Sequence, residues 1–204
     1  EDKILVIHAD DFGIHPAVNE AIRSGHRSGR VQSASLLANG EAFEQALAIA
    51  RDNPELDIGA HLTLIQGRPV WGQSPAFHQE TSGFLWSYLK GGVSLAAVRR
   101  EWQAQIEKII SGGIQPSHID SHRHVHLIPG LFEVALDLAR RYDIPYIRIP
   151  RLSYRDMTRM PPRVRTFLLG GISLCSPKLK HSAARAKIQC VDRSLGFLEG
   201  GRLT

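Results

Sequence analysis

Apolar and polar positions along the chain alternate between a period of two and a period near 3.6. The run Ile4-Leu5-Val6-Ile7-His8-Ala9 is almost continuously apolar, so residues 3–9 read as a buried strand. Over residues 16–28 the period lengthens and Pro16 stands in the first turn, as in a helix. Residues 32–38 form a second apolar strand. Phe43, Ala46, Leu47 and Ala50 then recur at i, i+3, i+4 and i+7 and predict a helix. Residues 56–64 read as a third strand, interrupted by Gly59. The stretch 65–93 is rich in Gly, Pro and Ser, carries Trp71, Trp86 and Tyr88, and reads as a long irregular loop that packs over the core or serves as a lid. Leu95, Val98, Trp102, Ile106 and Ile109 mark one face of a helix ended by Gly112-Gly113. A short strand near 117–121 follows, then a helix opened by Pro129 with Leu131, Ala135 and Leu138 inward, then a strand over 146–149. Beyond Arg151 the pattern weakens to a basic helix-like segment, an apolar stretch over 167–175 and a strand candidate near 187–191.

Strands alternating with helices imply an α/β protein with a parallel sheet, either a barrel or an open doubly wound sheet. In both, ligands gather at the carboxyl ends of the strands. The 204 residues, 43% of them hydrophobic, fit a single domain with a sizeable core. No apolar run approaches the ~20 residues that span a bilayer, and no charged segment followed by an apolar one opens the chain as a secretory signal would. Cys175 and Cys190 form no C-x-x-C, which excludes a cysteine zinc site, and two free thiols fit a reduced, cytoplasmic setting. The formal charge of +5 admits an anionic partner. Aromatic residues are not interleaved with the basic ones, so nucleic acid is not expected.

Candidate chemistry sits at the predicted strand ends. Asp10 and Asp11 close the first apolar run, and two adjacent carboxylates in a low-dielectric site repel one another unless a cation lies beside them. His61 lies near the end of the third strand, two residues after Gly59, and His122 lies just past the fourth. His118, Asp120, His122, His124 and His126 occupy alternate positions; on a strand they would share one face, and on a helix 118/122 and 122/126 would pair one turn apart. Asp and His together suit a hydrolytic divalent metal. Three motifs remote in sequence are thus expected on one rim.

These blocks carry a resemblance. Ala9-Asp10-Asp11-Phe12-Gly13, then Gly59-Ala60-His61-Leu62-Thr63-Leu64 with Gly67-Arg68-Pro69-Val70, then His118-Ile119-Asp120-Ser121-His122-Arg123-His124-Val125-His126 resemble the signature blocks of the YdjC-like carbohydrate deacetylases, which include the chitooligosaccharide deacetylases. The resemblance covers roughly residues 3–151. It implies an incomplete, seven-stranded TIM-like (β/α) barrel holding one divalent metal ion, magnesium or zinc, and hydrolysis of an N-acetyl group on an amino sugar. By position, Asp11, His61 and His122 would be the metal ligands and Asp10 the catalytic base. Asp10 would take a proton from water while the metal polarises the amide carbonyl.

The departing amine needs an acid. Family members carry a further His-Pro-Gly block near the C-terminus, and this sequence ends at Thr204 without one. The expectation is therefore a single domain lacking its C-terminal part; the alternative is that His124 or His126 serves as the acid. Arg148 and Arg151 flank the fifth strand and are expected to bind sugar hydroxyls. Arg151, Arg155, Arg159 and Arg163 repeat every four residues, a spacing that suits a solvated face or a stripe against lipid headgroups. Some members of the family resemble deacetylases of glycosylated hopanoid lipids, so the expected partner is an N-acetylated amino sugar, free or lipid-linked, with peripheral membrane contact and a homodimer as open expectations. Two rivals stand beside this reading. One is another metallohydrolase, an amidase or a phosphoesterase; the other is a non-catalytic sugar- or membrane-binding module on the same scaffold.

Overall fold

The structure is a computed structural model, and it describes residues 4–74, 76–150 and 176–191. Five parallel strands, β1 (His8–Phe12), β2 (Ser33–Leu36), β3 (Asp57–Leu62), β4 (His118–Ser121) and β5 (Tyr146–Ile147), lie side by side in chain order. Each new strand adds beside the last, and the order never reverses. That is the winding of a (β/α) barrel wall, not of a doubly wound sheet with a switch point. The crossovers carry α1 (Pro16–Arg27), α2 (Phe43–Asp52), α3 (Thr81–Leu89), α4 (Leu95–Ser111) and α5 (Leu131–Arg141).

Local chemistry sets the helix ends. Pro16 pre-forms the first turn of α1, and the His15 imidazole accepts from the Ala17 N–H at 3.1 Å. Ser94 caps α4 by accepting from Ala97 N. Gly113, at φ 86°, turns the chain out after α4.

The register divides the sheet into two unlike faces. Ala34, Ile58, Ala60, Ile119 and Ile147 alternate onto one face and enter the core with Trp102, Ile106 and Phe132. The other face carries His8, Ser33 and Asp57 in one row, Ser35, Gly59 and His118 in the next, and His61 beside Asp120 in a third. Parallel strands are usually apolar on both faces; here one face is lined with polar groups.

Four expectations are corrected. β1 begins at His8, not at residue 3, and Ile4 and Leu5 are 90% and 72% exposed. The start of β2 lies opposite His8, so residues 4–7 have no facing strand among the described residues. The stretch 65–93 contains a helix, α3, anchored by buried Phe84. Apolar residues surround α3 without a helical stripe, and Trp86 and Leu89 remain exposed, which hid it from periodicity. β5 has two residues, and the expected last strand is a single bridge from Gln189 to Tyr146. Arg151, the basic repeat after it and Cys175 lie outside the described residues. No helix among the described residues is long and apolar enough to cross a membrane.

Candidate active site

In a regular strand, neighbouring side chains point to opposite faces, which would separate Asp10 from Asp11. β1 departs from that rule. Its register against β2 slips between Ala9 and Phe12, and Asp11 adopts a left-handed backbone at φ 62°. Aspartate is one of the few non-glycine residues that enter this region readily. Buried Asn19 pins the turn that follows: its side-chain oxygen accepts from Gly13 N at 2.7 Å and its amide donates to Ala42 O at 3.0 Å. Both carboxylates therefore serve one rim, through different partners.

Asp11 meets the histidines. Its Oδ1 lies 3.2 Å from His61 Nε2 and 2.9 Å from His122 Nδ1. The three ligand atoms lie within 4.8 Å of one another. Fully buried Asp120 accepts from His61 Nδ1 at 2.6 Å, and His61 Nε2 faces Asp11. Gln66 Oε1 lies 2.8 Å from His122 Nε2, and His122 Nδ1 faces the same point. Two imidazole nitrogens, able to ligate when unprotonated, and one carboxylate oxygen thus converge, each imidazole fixed from behind by an acceptor. That is how metal-ligating histidines are held, so the residues fit a divalent cation. Burial works against the Asp11 charge, but bonds from His122 and His61 hold it well below the usual carboxylate range. Burial likewise opposes a charged His61, yet the Asp120 charge and the Asp11 bond push it up to about 10. The arrangement therefore favours positive charge at this point.

Asp10 meets cations of the protein itself. Arg148 donates to Asp10 Oδ1 at 2.6 Å and lies 3.0 Å from Asp120 Oδ2. His8 Nε2 lies 3.2 Å from Asp10 Oδ1. Burial raises the Asp10 pKa, but His8 and Arg148 overcome it and keep the carboxylate ionised. Arg148, expected to bind sugar hydroxyls, is engaged by the carboxylates of Asp10 and Asp120.

The histidine-rich block does not continue as a strand or enter a regular helix. The shared face holds for His118 and Asp120 and ends at Ser121, where a 3-10 turn (His122–Leu127) begins. Arg123 and His124 inside it both have φ near 57°, so the even-numbered alternation stops after His122. His126 is fully buried. Its Nε2 donates to Arg148 O at 2.8 Å and its Nδ1 accepts from Ser121 Oγ at 2.5 Å. Burial pushes His126 down to about 4. Burial and the Arg148 charge push His124 down to about 3. Both are held toward the neutral form near pH 7.

Gly59 has a definite reason: a Cβ there would come 2.1 Å from His118 Nε2. Asn19, Gln66 and Ser35 carry no motif or period that would announce them in the sequence. The nearest signal for Gln66 is its place just after the third strand, beside Gly67.

The fold and rim define a singly wound parallel α/β protein with an Asp-His-His donor set and a second carboxylate beside it. The YdjC-like protein family model matches residues 4–204, and the chain belongs to that family. It is 39% identical over 142 residues to a carbohydrate deacetylase of Clostridium beijerinckii, covering 69% of this chain and 58% of that protein. It is 41% identical over 148 residues to the carbohydrate deacetylase of Geobacillus stearothermophilus, covering 70% and 58%. A carbohydrate deacetylase of Listeria monocytogenes is 37% identical over 175 residues, covering 83% and 71%. The first relatives are thus spanned for only 58 to 62% of their length. Among solved structures, a protein of Enterococcus faecalis V583, assigned provisionally to cellobiose-phosphate cleavage, superposes with a TM-score of 0.62. It is 34% identical, and the match covers 83% of this chain and 63% of that one.

Proposed function

We propose that this chain carries the metal and base half of a carbohydrate deacetylase that hydrolyses the N-acetyl group of an amino sugar and releases acetate. The observation behind this reading is the split between neighbours: Asp11 faces ring nitrogens of His61 and His122, and Asp10 faces Arg148 and His8. Asp11, His61 and His122 would hold one divalent cation. Two imidazoles favour an ion of the zinc class over magnesium, which prefers an all-oxygen shell. When bound, the cation supplies polarisation of the amide carbonyl and a lowered pKa for attacking water.

The remaining steps belong to side chains. Asp10, outside the ligand trio and ionised, accepts the proton of the attacking water. Arg148 holds that carboxylate in place and is a positioning residue. Asp120 orients His61, and Gln66 orients His122. His126, enclosed between Ser121 and the Arg148 carbonyl, fixes the rim to β5. The N-acetylated amino-sugar substrate comes from the named activity of the relatives, and lipid-linked forms are one arm of the test.

The test is acetate release from N-acetylglucosamine oligosaccharides and N-acetylated glycolipids by the full-length protein after zinc or magnesium loading. Release that stops with chelator supports the proposal. Turnover of a phosphoester with two metals per chain, and no acetate, would favour the rival metallohydrolase.

A further inference from the structure

We propose that His8 is an imidazolium built under the base, a positioning residue that keeps Asp10 oriented and charged. The inference rests on the reading of Asp10 as the base. Its ground is a count of hydrogen-bond donors. Ser33 Oγ donates to Asp57 Oδ2 at 3.0 Å, and Ser35 Oγ donates to Asp120 Oδ2 at 2.6 Å. Each hydroxyl has a single hydrogen, and both are committed to carboxylates. His8 Nδ1 lies 2.9 Å from Ser33 Oγ, and His8 Nε2 lies 2.7 Å from Ser35 Oγ. Each nitrogen therefore faces an oxygen that can only accept, and satisfying both requires a proton on each. A neutral imidazole has one N–H and would leave one of these contacts lone pair to lone pair.

The surroundings agree. Asp10 Oδ1 is 3.2 Å and Asp120 Oδ2 is 3.5 Å from His8 Nε2. The His118 ring meets the His8 ring edge-on at 5.0 Å, and Asp57 stands behind Ser33. Burial and Arg148 oppose the charge, while Asp10 and Asp120 outweigh them and raise the His8 pKa. The polar layer also balances. Asp10, Asp11, Asp57 and Asp120 are offset by Arg148, His8 and one dication on the ligand trio. A second dication at the nearby His8/His118/Asp120 grouping would meet the Arg148 guanidinium and leave excess positive charge.

Side-chain ¹⁵N–¹H correlation spectra of the zinc-loaded full chain at pH 7.5 test this directly, with His8→Gln assigning the signal. Two protonated nitrogens on His8 are expected, and a single-N–H neutral tautomer would overturn the proposal. Kinetics give a second arm. His8→Leu should lower kcat by about 100-fold with KM and metal content unchanged, as expected for a misplaced base. His8→Gln, which keeps a donor toward Asp10 without the charge, should recover roughly ten-fold of that loss. A His8→Leu enzyme with wild-type kcat, or one that loses its metal, would also overturn it. If wild-type protein releases no acetate, the functional reading fails while the spectrum still decides the charge on His8.

Discussion

The two faces of the sheet are made by the same strands and follow opposite rules. On one face Ile58, Ala60 and Leu62 alternate into the hydrophobic core, where volume and shape decide stability. On the other, His61, Asp120, Ser35, Ser33 and His8 form a buried polar network joined by directional hydrogen bonds. The first face tolerates approximate answers, because apolar burial is non-directional. The second does not, because an unpaired buried polar group costs about 1–3 kcal/mol, and more for a charge. A substitution should therefore spoil chemistry on one face and stability on the other.

The largest effect is expected at Asp10. Asp10→Asn removes the base and should lower turnover by about 10²–10⁴-fold while leaving the metal bound. Acetate release and metal content, measured on the same sample, check it. Next comes the apolar face. Leu62→Ala, at a fully buried position, should cost about 2–5 kcal/mol in a urea unfolding experiment and leave the metal-to-protein ratio unchanged. Loss of metal before loss of stability would break the division between faces. Asp120→Asn keeps the shape behind His61 but weakens its orientation, and should reduce metal affinity by roughly 10–100-fold in a chelator competition.

The smallest effect is a pH slope. His126 is buried neutral with its pKa pushed down to about 4. The unfolded chain binds a proton near pH 6.5 and the folded chain does not, so this contribution is complete above 6.5. It is lost as pH falls from 6.5 toward 4. Between pH 7 and pH 5 it amounts to roughly 2 kcal/mol. His126→Gln should flatten the fall in stability across that interval; an unchanged slope would show that His126 does not titrate as described.

Helices α1, α2, α4 and α5 were legible in the sequence because each buries one stripe, and a stripe leaves a period. α3 left none, since Leu85, Trp86, Tyr88 and Leu89 make it apolar almost all round. The start of β1 misled for a related reason: apolar character signals a strand only where another strand lies alongside, and residues 4–7 face none among the described residues. In the site, Asp10, Asp11, His61 and His122 were visible as residue types at strand ends. Their separate tasks were only partly visible. The bulge and left-handed backbone at Asp11, which bring both carboxylates to one rim, depend on register with β2. Asp120 stood out in the histidine cluster, but its task requires the His61–Asp120 register across β3 and β4. Gln66, Asn19, Ser33 and Ser35 act through single hydrogen bonds made across the fold, and such bonds leave no trace in a linear pattern.

The division of labour between Asp10 and Asp11 is tested most directly by metal content. Asp10→Asn and Asp11→Asn are purified side by side, loaded with zinc, desalted and analysed for bound metal. The account predicts about one equivalent in Asp10→Asn, as in the wild type, and little in Asp11→Asn, whose ligand oxygen is replaced. Metal retained by Asp11→Asn and lost by Asp10→Asn would contradict it.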